Sequence, residues 1–170
     1  ARTEHLTYIC TRKKEAAGFE HKRYLYPELQ KVPHEYFIGV SGLRGIGKTI
    51  LLLQMANEVS NSLYFSADAV YLKNEELYEI IQKASSNGYK HVFVDELQNK
   101  ENWQQDLKTL YDEKTARIVF TGSSAIEINK GVDLSRRALM FLLKPISFRE
   151  FLLFKKREAI EKITPEQLFD

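Results

Sequence analysis

From residue 36 onward the chain alternates short apolar runs with longer stretches of helical period. The runs fall at 36–40 (YFIGV), 62–66 (SLYFS), 91–95 (HVFVD), 117–121 (RIVFT) and 138–143 (ALMFLL). In the third run Val92, Phe93 and Val94 are β-branched or aromatic and show no polar alternation, the pattern of a strand covered on both faces. Between them, Leu77, Ile80, Ile81 and Ala84 make one apolar stripe, and Trp103, Leu107, Leu110 and Tyr111 another. Both stripes have the spacing of a helix face turned to a core. Asn87-Gly88 is a helix stop ahead of the third run. Strands separated by helices predict parallel pairing through right-handed crossovers, hence an α/β three-layer sandwich around a five-stranded parallel sheet.

Residues 1–35 mix charged and aromatic side chains without a clear period, and a helix or two leading into the core is expected there. SFRE (147–150) and TPEQ (164–167) read as capping boxes, with Ser147 and Thr164 at the caps and Glu150 and Gln167 reaching back. Both are assigned a structural role only. The expected divisions are a lead-in at 1–30, the core at 31–156, and the start of a following segment at 157–170. The closing KITPEQLFD reads as a helix opening, so the sequence is expected to be a piece of something longer.

Composition bounds the function classes. The chain has 170 residues with 44% hydrophobic content, enough for one domain with a proper core. Lys and Arg number 25 against 23 Asp and Glu, too even a balance to announce a nucleic-acid or membrane surface, so nucleic-acid binding is left open. No apolar run approaches the roughly 18 residues of a membrane-spanning helix. A single cysteine, Cys10, forbids an internal disulfide. Together these lead to the expectation of a cytoplasmic protein with no membrane partner.

The chemistry concentrates in GLRGIGKT, residues 42–49, which fits G-x-x-x-x-G-K-[ST] directly after the first strand and before an apolar helical stretch. Gly42, Gly45 and Gly47 permit close backbone approach, so that N–H groups from about Gly45 through Ile46 and Gly47 to Ile50 converge on phosphate oxygens. Lys48 brings a full charge to the β- and γ-phosphates, and the Thr49 hydroxyl is placed to ligate Mg2+. The third strand ends on Asp95 and Glu96, at the edge where parallel sheets bind ligands. Asp95 is the second Mg2+ residue, and Glu96 the group that orients or deprotonates an attacking water. Paired acids lean toward hydrolysis, although Glu96 equally suits a cap of the next segment.

Thr121, Ser123 and Ser124 follow the fourth strand and are candidates to contact the γ-phosphate or the water, with Ser123 preferred because Gly122 can turn the chain toward the loop. An ordinary turn is the alternative. Arg136 and Arg137 precede the last strand, and Arg137 is a candidate to stabilise transition-state charge, in cis or from a neighbour, against the plainer reading of a solvated or interface pair. Arg44 faces either nucleotide or solvent. Trp103 belongs to a core stripe, with stacking on adenine the sharper alternative, and His34 is a surface residue unless it lies by the base.

Taken together, GLRGIGKTILLLQ, VFVDELQ followed by Trp103, IVFTGSS, DLSRRA and PISFREFL resemble, in order and spacing, the AAA-like P-loop ATPases of archaea and bacteria. The resemblance covers roughly residues 20–155. It implies ATP with Mg2+ as cofactors, with Lys48 and Thr49 at the nucleotide, Asp95 at the metal, Glu96 as base, and Thr121 or Ser123 as first sensor. It also implies the strand order 5-1-4-3-2, in which the fourth strand inserts between the first and third. In that group a C-terminal domain commonly follows the core, so self-association or a protein partner is expected through that region. ATP rather than GTP is implied by the family and by the poor fit of NKEN (99–102) and NKGVD (129–133) to a guanine reader. A nucleotide-dependent switch that hydrolyses negligibly is the main alternative to an ATPase. A small-molecule kinase is the lesser one, for want of an arginine-rich lid.

Overall fold

The computed structural model describes residues 19–123 and 134–156. Cys10, Ser124, the 129–133 stretch and the 164–167 capping box lie outside the described residues. The elements in chain order are α1 (Tyr26–Gln30), β1 (Phe37–Ser41), α2 (Lys48–Glu58), β2 (Ser62–Ser66), α3 (Leu77–Ser86), β3 (His91–Asp95), α4 (Trp103–Asp112), β4 (Arg117–Gly122), β5 (Ala138–Leu142) and α5 (Phe148–Lys156). Short 3-10 turns cover Val70–Leu72 and Leu97–Asn99.

The five strands form one parallel sheet in the order β2-β3-β4-β1-β5, the order expected from the resemblance. Because β4 lies between β1 and β3, the ends of those three strands open onto one crevice. The strands read as unbroken apolar runs because both faces are covered. Val92 and Val94 pack with Leu77, Ile81, Leu107 and Leu110 under α3 and α4. Phe93 turns the other way, among Leu51, Leu52 and Tyr64 under α2. Each such side chain contributes on the order of 1.5–3 kcal/mol when fully buried.

Helix α3 ends at Ser86 with Asn87 following, as the Asn-Gly signal predicts. Residues 19–35 hold one short helix, α1, and it belongs to the core: Tyr26 and Leu29 are fully buried in the α2-side cluster. The capping box at α5 forms as expected, with the Glu150 N–H donating to Ser147 Oγ at 3.2 Å and the Ser147 N–H donating to Glu150 Oε2 at 3.1 Å. Among the described residues no helix is long and apolar enough to cross a membrane.

Candidate functional site

The loop between β1 and α2 turns on its glycines. Gly42 has φ 151°, and a Cβ there would stand 2.6 Å from the Leu143 carbonyl oxygen and 2.5 Å from the end of Ile46, so β5 closes on the loop where only hydrogen fits. Gly47 caps α2 in the left-handed region, at φ 97°, with no side chain on the exposed amides; Gly45 also has positive φ, 82°. The first intrahelical bond in this turn runs from Leu51 N–H to Gly47 O at 3.0 Å. A helix start leaves the amides of its first turn without acceptors of its own, and an uncapped one is a ready anion site.

Lys48, only 5% exposed, folds back over this loop and donates to the carbonyls of Gly42 and Leu43 at 3.0 and 2.9 Å. Its ammonium is thereby held inside the ring of backbone that the glycines shape. Thr49, one residue on, points to β3 and donates its hydroxyl to Asp95 Oδ2 at 2.7 Å.

Asp95 is 3% exposed, and three hydroxyls converge on its carboxylate: Thr49, Tyr64 from β2 at 3.2 Å, and Thr121 from β4, which takes the other oxygen. Three donors on a buried acid are the compensation that burial of its charge requires. Thr121 also accepts from the Glu96 N–H at 3.1 Å, so the inserted strand β4 holds both acids in place. Glu96 itself sits in the left-handed region, φ 53° and ψ 46°. That conformation costs a non-glycine residue about 1–2 kcal/mol, a form of strain that gathers at functional sites. Gln98 links the two remaining groups, donating to Glu96 Oε2 and accepting from the Ser123 N–H at 3.3 Å.

Lys48, Thr49, Asp95, Glu96, Ser123 and Arg44 line a single open cavity of about 530 Å³ at the carboxyl ends of the strands. The structure thus brings together Lys48, Thr49, both acids and Ser123, with Arg44 also on the wall of this space, while Ile46, Gly47 and Ile50 line the cavity beside it. Beside it, on the far side of Gly47 and Ile50, a mainly apolar cavity of about 390 Å³ is walled by Phe19, His21, Ile146 and Phe154. The His21 and Phe154 rings stack there with centroids 5.5 Å apart, and Gln54 of α2 anchors residues 19–21 by donating to the carbonyls of Phe19 and His21. The oxygen donors of Thr49 and Asp95 suit a hard divalent cation such as Mg2+.

Arg137 is not part of this assembly. It precedes β5, its carbonyl accepts from the Phe37 N–H at the start of β1, and the loop leaves the opposite end of β1. At ~3.3 Å per residue the two ends of that strand are about 15 Å apart. The guanidinium instead makes a two-pronged contact with Asp112, at 2.9 and 3.0 Å, and lies over the Tyr111 ring. Within one chain Arg137 therefore does not reach the loop as a catalytic group: parallel strands put the residues entering β5 and the loop leaving β1 on opposite rims. His34 lies on that same opposite rim, exposed and bonded to Arg117. Trp103 is buried in the core against Phe120, as its stripe implied.

Tyr64, Gln98 and Arg23 escaped the sequence reading. A buried tyrosine needs a partner for its hydroxyl, so Tyr64 in a strand neighbouring an acid was the one with a usable signal. Gln98 and Arg23 act through contacts that only the fold creates.

A parallel sheet with a glycine loop at a helix start and a buried acid at the end of a strand two places away is the core of a P-loop nucleotide-binding ATPase. A family model described as an AAA domain matches residues 34–152, and the chain belongs to that family. Curated relatives include two uncharacterized proteins of Methanocaldococcus jannaschii, 34% and 31% identical over 89% and 75% of this chain, and one of Haemophilus influenzae, 25% identical over 86%. The chain spans 36%, 30% and 40% of the length of these three relatives. Solved structures similar to the chain include C. elegans PCH-2, with TM-score 0.44 and 16% identity over 86% of this chain and 43% of its own. AMPPCP-bound DnaA from Aquifex aeolicus gives 0.47 and 18%, over 81% of this chain and 50% of its own.

Proposed function

We propose that the chain binds magnesium-ATP in this crevice and hydrolyses it, passing the state of the γ-phosphate to the rest of the protein. Gly42, Gly45, Ile46, Gly47 and Ile50 supply the backbone cradle, and Lys48 carries positive charge to the β- and γ-phosphates. Thr49 and Asp95 would hold Mg2+, which supplies charge neutralisation to the phosphate oxygens. Glu96 orients and deprotonates the attacking water, a contribution of roughly 10²–10⁴ in rate. Ser123, tied to Glu96 through Gln98, meets the terminal phosphate and reports its loss. The base docks in the neighbouring apolar cavity, beside His21 and Phe154, where an adenine would find ring faces to stack on.

The observation that carries this reading is the convergence of Thr49, Thr121 and Tyr64 on Asp95, with the strained Glu96 next to it at the mouth of the loop. ATP as substrate accords with a cytoplasmic location. Self-association or partner binding is assigned to a region C-terminal to the 31–156 core.

One contact favours a second reading. The Gln98 amide holds the Glu96 carboxylate, and a base kept in that grip would leave a nucleotide-bound switch with negligible turnover. Phosphate release and nucleotide binding, measured together for the parent and Glu96→Gln, separate the two. An ATPase shows turnover that the substitution abolishes while binding stays; a switch shows binding without turnover in either protein.

A further inference from the structure

Arg23 lies ahead of α1 and is only 8% exposed, yet it touches three separate stretches of chain. Its Nη1 donates to the Ile46 carbonyl of the phosphate loop at 2.8 Å. Its Nη2 donates to the Lys144 carbonyl, just past β5, at 2.6 Å. Its Nε donates to Glu150 Oε1, in the first turn of α5, at 3.1 Å. Glu150 is 5% exposed and also accepts from the N–H groups of Tyr24 and Ser147, at 2.9 and 3.1 Å.

The geometry uses what distinguishes arginine: a planar fork of donors that reaches acceptors in several directions, where a lysine would offer one point charge. A buried guanidinium is tolerated because Glu150 neutralises it, and a buried glutamate because four donors meet it. Ile46, the loop residue involved, stands between Gly45 and Gly47, both at positive φ. On the nucleotide-binding reading, its carbonyl belongs to the stretch of loop whose peptide groups would face the phosphates. Any displacement of that carbonyl must either break the Arg23 contact or carry the guanidinium with it, and with the guanidinium the Lys144 carbonyl and the start of α5.

We infer that Arg23 and Glu150 form a positioning clasp that couples occupancy of the phosphate loop to the placement of α5, and through α5 to the chain that continues beyond residue 156. The inference rests on the nucleotide-binding reading of the loop. The clasp touches no reacting atom. It makes the loop's geometry and the exit of the core two readings of one arrangement, and by linkage whatever holds α5 also tunes nucleotide affinity.

Amide hydrogen exchange tests this with a non-hydrolysable ATP analogue and Mg2+, followed in three windows: the loop at 42–50, α5 at 147–156, and the core strand at 91–95. In the parent, nucleotide slows exchange in the loop and changes it at 147–156 by at least about fivefold, the lower end of ordinary coupling. Glu150→Gln, which keeps size and removes charge, and Arg23→Lys, which keeps charge and removes the fork, retain slow exchange at 91–95 and loop protection at saturating nucleotide. Both lose the response at 147–156, and their nucleotide dissociation constants rise by roughly fivefold or more. A merely structural pair would raise exchange generally and leave the nucleotide response in place, which overturns the inference. Loop protection in the parent with no change at 147–156 overturns it as well, and this arm decides even where a variant loses its core strand. An unprotected loop in the parent overturns the nucleotide reading itself, a different failure.

Discussion

Thr49 donates its hydroxyl to the Asp95 carboxylate across 2.7 Å, joining the first turn of the helix after the phosphate loop to the end of a strand two places away in the sheet. That bond is possible because β4, lying between β1 and β3, contributes Thr121 to the other carboxylate oxygen instead of a bulky side chain. Loop, acid and inserted strand form one hydrogen-bonded unit, the kind of preorganisation that electrostatic stabilisation of a phosphoryl group calls for.

Asp95→Ala is expected to act twice. It strands the hydroxyls of Tyr64 and Thr121 in a buried place, a loss of about 1–3 kcal/mol in stability, to be read from the midpoint of urea unfolding. It also removes the carboxylate proposed to hold Mg2+, so the affinity of the surviving folded protein for ATP becomes nearly independent of Mg2+ in a titration with and without the cation.

Arg137→Ala is expected to leave phosphate release by the single chain unchanged within about twofold. Among the contacts it removes are a pair with Asp112, whose side chain is half exposed, and one over Tyr111. Exposed pairs of this kind contribute roughly 0.2–1 kcal/mol, so denaturation shifts slightly and steady-state kinetics do not.

Acid stability is expected to depend on Glu150. Burial alone would raise its pKa, but the N–H groups of Tyr24 and Ser147 and the Arg23 guanidinium outweigh it and hold the carboxyl below its ordinary 4.5. A carboxyl with a depressed folded-state pKa binds protons more readily when the chain is unfolded. Its stabilisation is therefore complete above 4.5 and is lost as pH falls through the folded-state value. Unfolding free energy measured from neutral to acid pH should fall less steeply in Glu150→Gln than in the parent.

Much of the fold and site was legible in the sequence for a physical reason. Strands β2 and β3 read correctly to the residue because both faces are buried and their apolar runs have sharp polar ends. The loop was legible because its backbone leaves little room for anything but glycine at Gly42 and Gly47. Arg137 misled because adjacency in sequence to the last strand says nothing about which rim of the sheet a residue occupies, and only the parallel register, Phe37 beside Ala138, decides that. Arg23 and Glu150 were opaque for a related reason. One sat in a stretch without period and the other in a capping box that fully explained it, and their meeting spans 127 positions of sequence. Tyr64 lay between these cases: its burial was legible, its partner was not.

The Lys48 ammonium and the backbone around it are expected to grip the phosphates of a nucleotide, and every other role assigned to the crevice depends on that grip. Calorimetric titration of magnesium-ATP into the parent and Lys48→Ala, with β-sheet content checked by circular dichroism, tests it most directly. Loss of a charge-assisted contact worth about 1.5–3 kcal/mol predicts a dissociation constant raised roughly ten- to hundredfold in a variant that remains folded. Equal affinity in the two folded proteins would contradict it.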